Sequence, residues 1–133
     1  MGFKEKIKGG RLITVVKKKL LKNYSKKIYS DVFVLTHRQE VHISKDHAAD
    51  FDRIMQGLRM TLDDPSEIYE DDRFDGTLYF IRKLEIDNQN IVVKMNINND
   101  KRHPCNSIIT SYIVSDRAVR RIRNKGVNIY AKG

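Results

Sequence analysis

Apolar residues recur at intervals of three and four in two parts of the chain, the spacing of one face of a helix. The first part is residues 11–30, where lysines surround the stripe and an amphipathic helix is predicted. The second is residues 44–62, with Ser44 as the expected N-cap. A further helix is predicted over residues 115–126 from its end signals, with Ser115 as N-cap and Gly126 at the C′ position. The first stripe consists of Ile13, Val16, Leu20, Tyr24 and Ile28.

Other segments alternate polar with apolar residues or are rich in β-branched residues, which is typical of strands. These segments are residues 31–36, 77–85, 90–97 and 107–114, with a short additional strand expected at 127–130. Helices interleaved with a run of strands predict an α+β fold. We therefore expect helices packed on a mostly antiparallel, roughly four-stranded sheet.

The chain has 133 residues, of which 40% are hydrophobic and 32% charged, as in an ordinary globular domain. This length holds one domain, expected over residues 31–133 and preceded by a basic helical extension over residues 1–30. No apolar run approaches the ~20 residues of a membrane-spanning helix, so we expect no membrane association. The single cysteine, Cys105, excludes an internal disulfide and fits a reducing compartment, the cytoplasm.

The charge is strongly positive and unevenly distributed, with a net value of +9. Residues 1–30 hold ten basic residues and one acidic residue, and residues 76–133 hold eleven and four. Between them, residues 31–75 hold five basic and twelve acidic residues. Two basic blocks around an acidic one favour a surface that binds a polyanion by its phosphates.

Three histidines lie within eleven residues, and they are candidates for acid–base chemistry. With Ser44 as the N-cap, His47 falls in the first turn of the predicted helix and His42 in the extended approach to it. A helix N-terminus is also a binding site for phosphate. The spacing does not match a metal site, so neither a metal nor a cofactor is expected. Taken alone, such a cluster is more often a solvated or capping group than a catalytic one.

Polar side chains also interrupt two of the predicted strands. Simple alternation places Asn106, Thr110 and Tyr112 on one face of the last long strand, and Ser107 on the other. Lys94 interrupts the apolar strand 90–97. Imidazoles, a lysine and strand hydroxyls are the groups that metal-free RNA cleavage uses, although each alone is more often a polar residue on the wet side of a sheet.

The order of these motifs resembles a known family. The series Arg38-x3-His42-Ile43-x3-His47, DDPSEIYEDD, TLYFIRKL, IVVKMNI and NSIITSY is similar to the phage-associated branch of the Barnase–EndoU–colicin–RelE-like nuclease superfamily. The resemblance covers residues 31–130 and leaves the lysine-rich N-terminal segment outside it. It implies a small α+β domain with a four-stranded antiparallel sheet and metal-independent ribonuclease activity, often that of a toxin or effector.

The resemblance also implies roles for particular residues. The catalytic set would be His42, His47, Lys94 and Thr110, with His47 as general base and His42 as the acid or its partner. At matching positions, Arg38, Asn106, Ser107 and Tyr112 would contact RNA. The basic residues Lys17, Lys18, Lys19, Arg120 and Arg121 are expected to bind the RNA backbone because of their charge, independently of the resemblance. Cleavage would leave 2′,3′-cyclic phosphate and 5′-hydroxyl ends.

Partners follow from the same two sources, charge and resemblance. Transfer RNA is the favoured substrate, in the cytoplasm of a bacterial cell, with an acidic immunity or antitoxin protein as a second partner. The alternative is a non-catalytic phage regulatory module that binds RNA or DNA through the same basic residues.

Overall fold

The structure, a computed structural model, describes residues 9–133, which fold around one seven-stranded β-sheet. The strands are β1 (Gly10–Val15), β2 (Val32–Thr36), β3 (Glu67–Glu70), β4 (Thr77–Lys83), β5 (Asn88–Lys94), β6 (Asn106–Val114) and β7 (Val127–Ala131). Three α-helices accompany them over this part of the chain: α1 (His37–Asp46), α2 (Phe51–Asp63) and α3 (Asp116–Lys125). The α+β class is confirmed.

The sheet is mixed, with the strand order β1-β2-β6-β5-β4-β3-β7. All neighbouring strands are antiparallel except β2 and β6, which run parallel and share the register pairs Phe33–Asn106 and Val34–Ser107. Strand β2 ends at Thr36 and leads directly into α1, which packs against β6. The second half of β6 is therefore flanked by a helix, and this arrangement brings the end of α1 to the candidate site.

One side of β4, β5 and β6 is packed against α2 and against residues 16–28, which follow β1. We call this side the packed face. It carries Phe80, Ile91 and Ile108, each at most 1% exposed. The predicted stripe of α2 is confirmed, because Ile54 and Leu58 are buried in the same cluster. The cluster also receives Ile43 from α1, Leu20 and Leu21.

The other side of β4, β5 and β6 is half covered, and we call it the open face. It carries Tyr79, Val92 and Thr110, which are all partly exposed. Helix α3 covers the β3–β4 end of this side, where Val119 packs with Tyr69 and Ile81 in a smaller cluster. Over β5 and β6, Val92, Thr110 and Tyr112 remain partly exposed and Lys94 is exposed.

The predicted helix over residues 11–30 is wrong. Residues Gly10–Val15 form β1, which pairs with β2 along its length, and Lys18–Leu21 form a single 3-10 turn. The run Ile13-Thr14-Val15-Val16 is β-branched, and branched side chains fit a pleated sheet better than a helix. Pairing with β2 therefore overrides the apparent helical spacing, although Leu20, Tyr24 and Ile28 still pack on the core.

The predicted four-stranded sheet is also wrong, because the described residues form seven strands. Besides β1, the sequence analysis missed β3, which lies in the acidic segment DDPSEIYEDD. The Glu70 carboxylate of β3 has partners within the fold: its Oε2 accepts hydrogen bonds from the Tyr24 hydroxyl (2.7 Å) and from Gly76 N–H (2.8 Å). Strands over 31–36, 77–85, 90–97, 107–114 and 127–130 are confirmed within a few residues.

The predicted start of the second helix is wrong as well. Residues 37–46 form α1, whose N-cap is Thr36, and the Thr36 side chain accepts from Gln39 N–H. Ser44 lies inside α1, where its hydroxyl donates to Val41 O at 2.6 Å. The cap at Ser115 is confirmed, since its hydroxyl accepts from Ala118 N–H at 3.2 Å.

Candidate functional site

A β-bulge in β6 decides which polar side chains share the open face. Val92 is opposite Thr110 and Val93 is opposite Ile108, so Ile109 is an extra residue with no partner on β5. One inserted residue reverses the alternation on either side of it. Ser107, Thr110 and Tyr112 therefore lie on the same face, and the alternation predicted for β6 is wrong.

Asn106 is removed from the site by this bulge and by its own hydrogen bonds. Its side chain is fully buried. The amide oxygen accepts from Asn96 N–H at 2.8 Å, and the amide nitrogen donates to Ser30 O at 3.0 Å. Both ends of the side chain are thus used to join two loops to β6, and the arrangement gives Asn106 a structural role in place of the predicted RNA contact.

His47 is the centre of the candidate site. It is partly buried, whereas the other three histidines are exposed. Its imidazole stacks on the Tyr112 ring, with centroids 5.4 Å apart and an angle of 21° between the planes. No hydrogen bond within residues 9–133 uses either ring nitrogen, so both nitrogens are available to a substrate.

The backbone position of His47 differs from the prediction. His47 is the C-cap of α1, and its N–H bonds to Ile43 O at 2.9 Å. His47 therefore lies at the end of an α-helix and not in its first turn, so it lacks the phosphate affinity expected of a helix N-terminus. What holds the ring is the end of α1 beside β6 and the face of Tyr112.

The Tyr112 hydroxyl is oriented by Asn90, a residue that the sequence analysis missed. Asn90 is opposite Tyr112 in the register, is fully buried, and its Nδ2 donates to Tyr112 Oη at 3.1 Å. The hydroxyl therefore accepts from Asn90 and, in the part of the chain described, has no acceptor for its own hydrogen. Asn90 Oδ1 is buried without a hydrogen-bond partner among the described residues. In the sequence, Asn90 could have been recognised as a side-chain amide at an alternate position of an otherwise hydrophobic strand.

Thr110, Ser107 and Lys94 line the open face at increasing distance from Tyr112. Thr110 lies two residues before Tyr112, and Ser107 and Lys94 are opposite each other further along. Lys94 is four residues from Asn90 on β5, a separation of about 13 Å. Its ammonium donates to Asp75 O at 3.0 Å. Thr110 is thus the predicted catalytic residue on β6 nearest Tyr112, and Lys94 lies further along the open face.

His42 and Arg38 are on α1, outside this group. The His42 side chain is 66% exposed, and its Nε2 lies 3.5 Å from an Asp46 carboxylate oxygen. Arg38 is exposed one turn earlier. Five residues separate His42 from His47, which turns their side chains about 140° apart on a helix. Among the described contacts, none joins His42 to His47 or to the open face.

The remaining predicted RNA contacts divide into two groups. Lys17 and Lys18 lie 3.7 Å and 3.6 Å from the carboxylates of Asp63 and Asp31, and Lys19 is exposed beside them. On α3, Arg120 and Arg121 point to different clefts. Arg120 lines a cleft with Glu67 and Asp116, and Arg121 lines a cleft that reaches the open face.

The second of these clefts contains Tyr79, which the sequence analysis also missed. Burial and a hydrogen bond to the Asp71 carboxylate (2.5 Å) raise the pKa of Tyr79 to about 12. The hydrogen bond from Tyr79 lowers the pKa of Asp71, with a smaller contribution from Arg73. Asp71 is only 8% exposed.

Two further properties of residues 9–133 bear on the site. No helix in this range has the length and hydropathy needed to cross a membrane. No three side chains of histidine, cysteine, aspartate or glutamate in this range come together as metal ligands.

Comparison with known proteins gives no relative. No protein-family model, curated protein or solved structure matches the chain.

Proposed function

We propose that the protein is a metal-independent endoribonuclease whose general base is His47. The observation that carries the proposal is the His47–Tyr112 stack, in which a partly buried imidazole is held by its face and keeps both nitrogens free. A general base needs a fixed position and a nitrogen within reach of the proton that it removes. The motif resemblance to a nuclease superfamily and the net charge of +9 support the same function.

The reaction is a transesterification within RNA. His47 takes the proton of a ribose 2′-hydroxyl, and the 2′-oxygen forms a bond to phosphorus as the bond from phosphorus to the 5′-oxygen breaks. The leaving 5′-oxygen takes a proton from an acid, so the products are a 2′,3′-cyclic phosphate and a 5′-hydroxyl. A hydroxyl donor at Thr110 would stabilise the charge on the phosphate in the transition state.

Tyr112 is the acid that this geometry favours. Its oxygen accepts from Asn90 Nδ2, so its own hydrogen is directed elsewhere, and the donated hydrogen bond stabilises the phenolate left after proton transfer. The proton that His47 gained then returns to Tyr112 through solvent. His42, which was expected to be the acid or its partner, has an exposed side chain beside Asp46 and no described contact with the open face.

RNA is the partner that this chemistry requires, because the 2′-hydroxyl is the nucleophile. We infer that the protein acts in the cytoplasm, that transfer RNA is the first substrate to test, and that an acidic neutralising protein would meet the same basic residues. These inferences extend the resemblance and the charge distribution.

The test is incubation of the full chain with total cellular RNA in excess EDTA, followed by sequencing of fragment ends. We expect discrete cuts with 2′,3′-cyclic phosphate ends. His47→Ala should lower the rate by about 10²- to 10⁴-fold, and Tyr112→Phe, which keeps the stacked ring, should lower it by a similar factor.

The control variant is Asn106→Ala, which lies on the same strand but outside the open face, compared at equal folded fraction. Intact RNA at high protein concentration, with the protein folded, would contradict the proposal. In that case the same basic surface would define a non-catalytic nucleic-acid-binding module.

A further inference from the structure

A cleft of about 460 Å³ lies between the C-terminal half of α3 and the loop that joins β3 to β4. Arg121 and Lys125 contribute from α3, Arg73 from the loop, and Tyr79 from the sheet. None of these residues except Arg121 was predicted to bind RNA. The cleft is separate from the His47–Tyr112 stack, but Tyr79 joins it to the open face.

Two of the three cations are not neutralised. Arg121 and Lys125 are exposed and form no ion pair with a carboxylate in the part of the chain that the structure describes. Arg123 of the same helix differs in this respect, because it donates two hydrogen bonds to Glu67, at 2.8 Å and 2.9 Å. Unpaired cations at one cleft are suited to bind an external anion.

The acidic groups at the cleft do not cancel this charge. Asp71 is buried and accepts hydrogen bonds from the Tyr79 hydroxyl and from Arg73 N–H, and its other near neighbour is the Arg73 guanidinium at 3.5 Å. The negative charge of Asp71 is therefore compensated by Tyr79 and Arg73 and does not offset Arg121 or Lys125. Asp72 is the second carboxylate in the lining and is exposed. The two unpaired cations, Arg121 and Lys125, thus face one carboxylate that is available to solvent.

An exposed aromatic side chain adjoins the cleft. Phe74 is 57% exposed, and the guanidinium of Arg73 lies 5.2 Å from the centre of its ring. Exposed aromatic side chains serve as stacking platforms for unpaired bases when they lie beside a positive groove. Cations for phosphate and an aromatic ring for a base define the chemistry of single-stranded nucleic acid.

The cleft is within reach of the candidate catalytic residues. Tyr79 and Thr110 are both opposite Val92, on either side of it, so they lie about 10 Å apart across the sheet. An extended RNA strand crosses this distance in a few nucleotides.

We propose that this cleft is a subsite for a nucleotide flanking the scissile bond, in which Arg121 and Lys125 bind its phosphate and Phe74 stacks on its base. The proposal rests on the function proposed above, which makes single-stranded RNA the ligand. It predicts that the enzyme selects unpaired segments, because a stacked base must be free of its helix.

The experiment measures binding apart from cleavage. The full chain carrying His47→Ala is titrated with a fluorescently labelled single-stranded RNA oligonucleotide at several KCl concentrations. Arg121→Glu and Lys125→Gln should each reduce the slope of log affinity against log salt by about 0.7, the value for one phosphate contact in a single strand. Phe74→Ala should weaken binding roughly tenfold with the slope unchanged.

Matched controls lie elsewhere on the surface. Arg59→Glu reverses a charge on α2, whose stripe packs on the opposite side of the sheet, and the Arg59 side chain is 75% exposed. Ile86→Ala removes an apolar side chain that is 84% exposed. Both controls should bind RNA as the parent does. Circular dichroism confirms that each variant is folded.

The outcomes separate the subsite from the catalytic function. Slopes and affinities that are unchanged in the cleft variants, or changed equally by Arg59→Glu, would overturn the subsite while RNA cleavage by the wild type still supports the ribonuclease. The expected slope changes without any cleavage by the wild type would support the subsite and contradict the ribonuclease. Tighter binding of poly-glutamate than of RNA would also overturn the subsite, in favour of an acidic protein.

Discussion

The two faces of the central strands differ in how their polar groups are satisfied. On the packed face, Gln89 is buried and hydrogen bonds to Ile54 O, to Ser111 and to Thr61. On the open face, the His47 nitrogens have no partner within residues 9–133, and Asn90 Oδ1 is buried without one there. The same strands therefore carry a side whose polar groups are paired and a side that leaves hydrogen-bonding groups to be used by a ligand.

This difference separates the face that supports stability from the face where we place the proposed chemistry. Buried polar groups that are fully paired contribute to a unique packing, and unpaired ones cost free energy that a purely structural face would avoid. The packed face is also where apolar side chains are removed from water, as with Phe80 and Ile91. Substitutions on the two faces should consequently change different quantities.

The largest expected effect on stability comes from the packed face. Leu58 of α2 is 2% exposed, so Leu58→Ala should lower the free energy of unfolding by about 2–5 kcal/mol through the cavity that it leaves. Val92→Ala, on the open face, should cost less than about 1 kcal/mol. Urea unfolding measures both. A larger loss for Val92→Ala than for Leu58→Ala would contradict the distinction between the faces.

A second substitution tests the buried polar network under α2. A Cβ on Gly57 would lie 2.0 Å from Gln89 Oε1, so Gly57→Ala must displace a side chain that three hydrogen bonds hold. We expect a loss of about 1–3 kcal/mol in the free energy of unfolding, despite the better helix propensity of alanine. Gly57→Ala combined with Gln89→Ala should recover part of it. If Gly57→Ala were instead more stable than the parent, the Gln89 side chain must have moved aside at little cost, which would contradict this prediction.

The carboxylate of Glu70 makes the stability of the packed side depend on pH. Burial raises the pKa of Glu70, but hydrogen bonds from Gly76 N–H, Tyr24 and Lys26 outweigh it, so the net pKa is lowered. A carboxylate whose folded pKa is lowered stabilises the protein above its unfolded pKa of about 4.3, and loses that contribution as the pH falls through the folded pKa.

The variant Glu70→Gln isolates this contribution. It should be about 1–2 kcal/mol less stable than the parent at pH 7, and the difference should shrink as the pH falls below about 4. Urea unfolding across this pH range measures it, with Glu85→Gln, an exposed site, as the control. A difference that stays constant down to pH 3 would contradict the lowered pKa.

The smallest effect separates a capping serine from one inside a helix. Ser115→Ala removes the side-chain acceptor of Ala118 N–H and should cost about 1 kcal/mol of unfolding free energy. Ser44→Ala, inside α1, should change it by less than about 0.5 kcal/mol. Equal effects in thermal or urea unfolding would mean that the start of α1 is misplaced.

Local patterns of polar and apolar residues predicted much of the packed face. The stripe of α2 and the alternation of β4 identified residues such as Leu58 and Phe80, because burial on one face imposes the period directly. The N-terminal strand was missed because Ile13 and Val16 also fit a helical stripe, and only pairing with β2 decides between the two. Strand β3 was missed because its carboxylates are neutralised by groups distant in sequence, including Lys26.

The open face was harder to predict. Tyr112, Thr110 and His47 were identified as polar or titratable residues. The bulge at Ile109 moves Ser107 onto their face and Asn106 off it, and it cannot be recognised from the alternation of polar and apolar residues along β6. The positions predicted for His42 and His47 also depended on where α1 begins. A boundary shifted by a few residues moved His47 from the beginning of one helix to the end of another.

The most direct test of the account compares His47 with His42 in one measurement. Single-turnover cleavage of the same RNA is followed in EDTA for the wild type, His47→Ala and His42→Ala, alongside their free energies of unfolding. We expect His47→Ala to be about 10²- to 10⁴-fold slower and His42→Ala to stay within about threefold of the wild type, with all three equally stable. Equal losses in both variants, or no loss in His47→Ala, would contradict the site at the His47–Tyr112 stack.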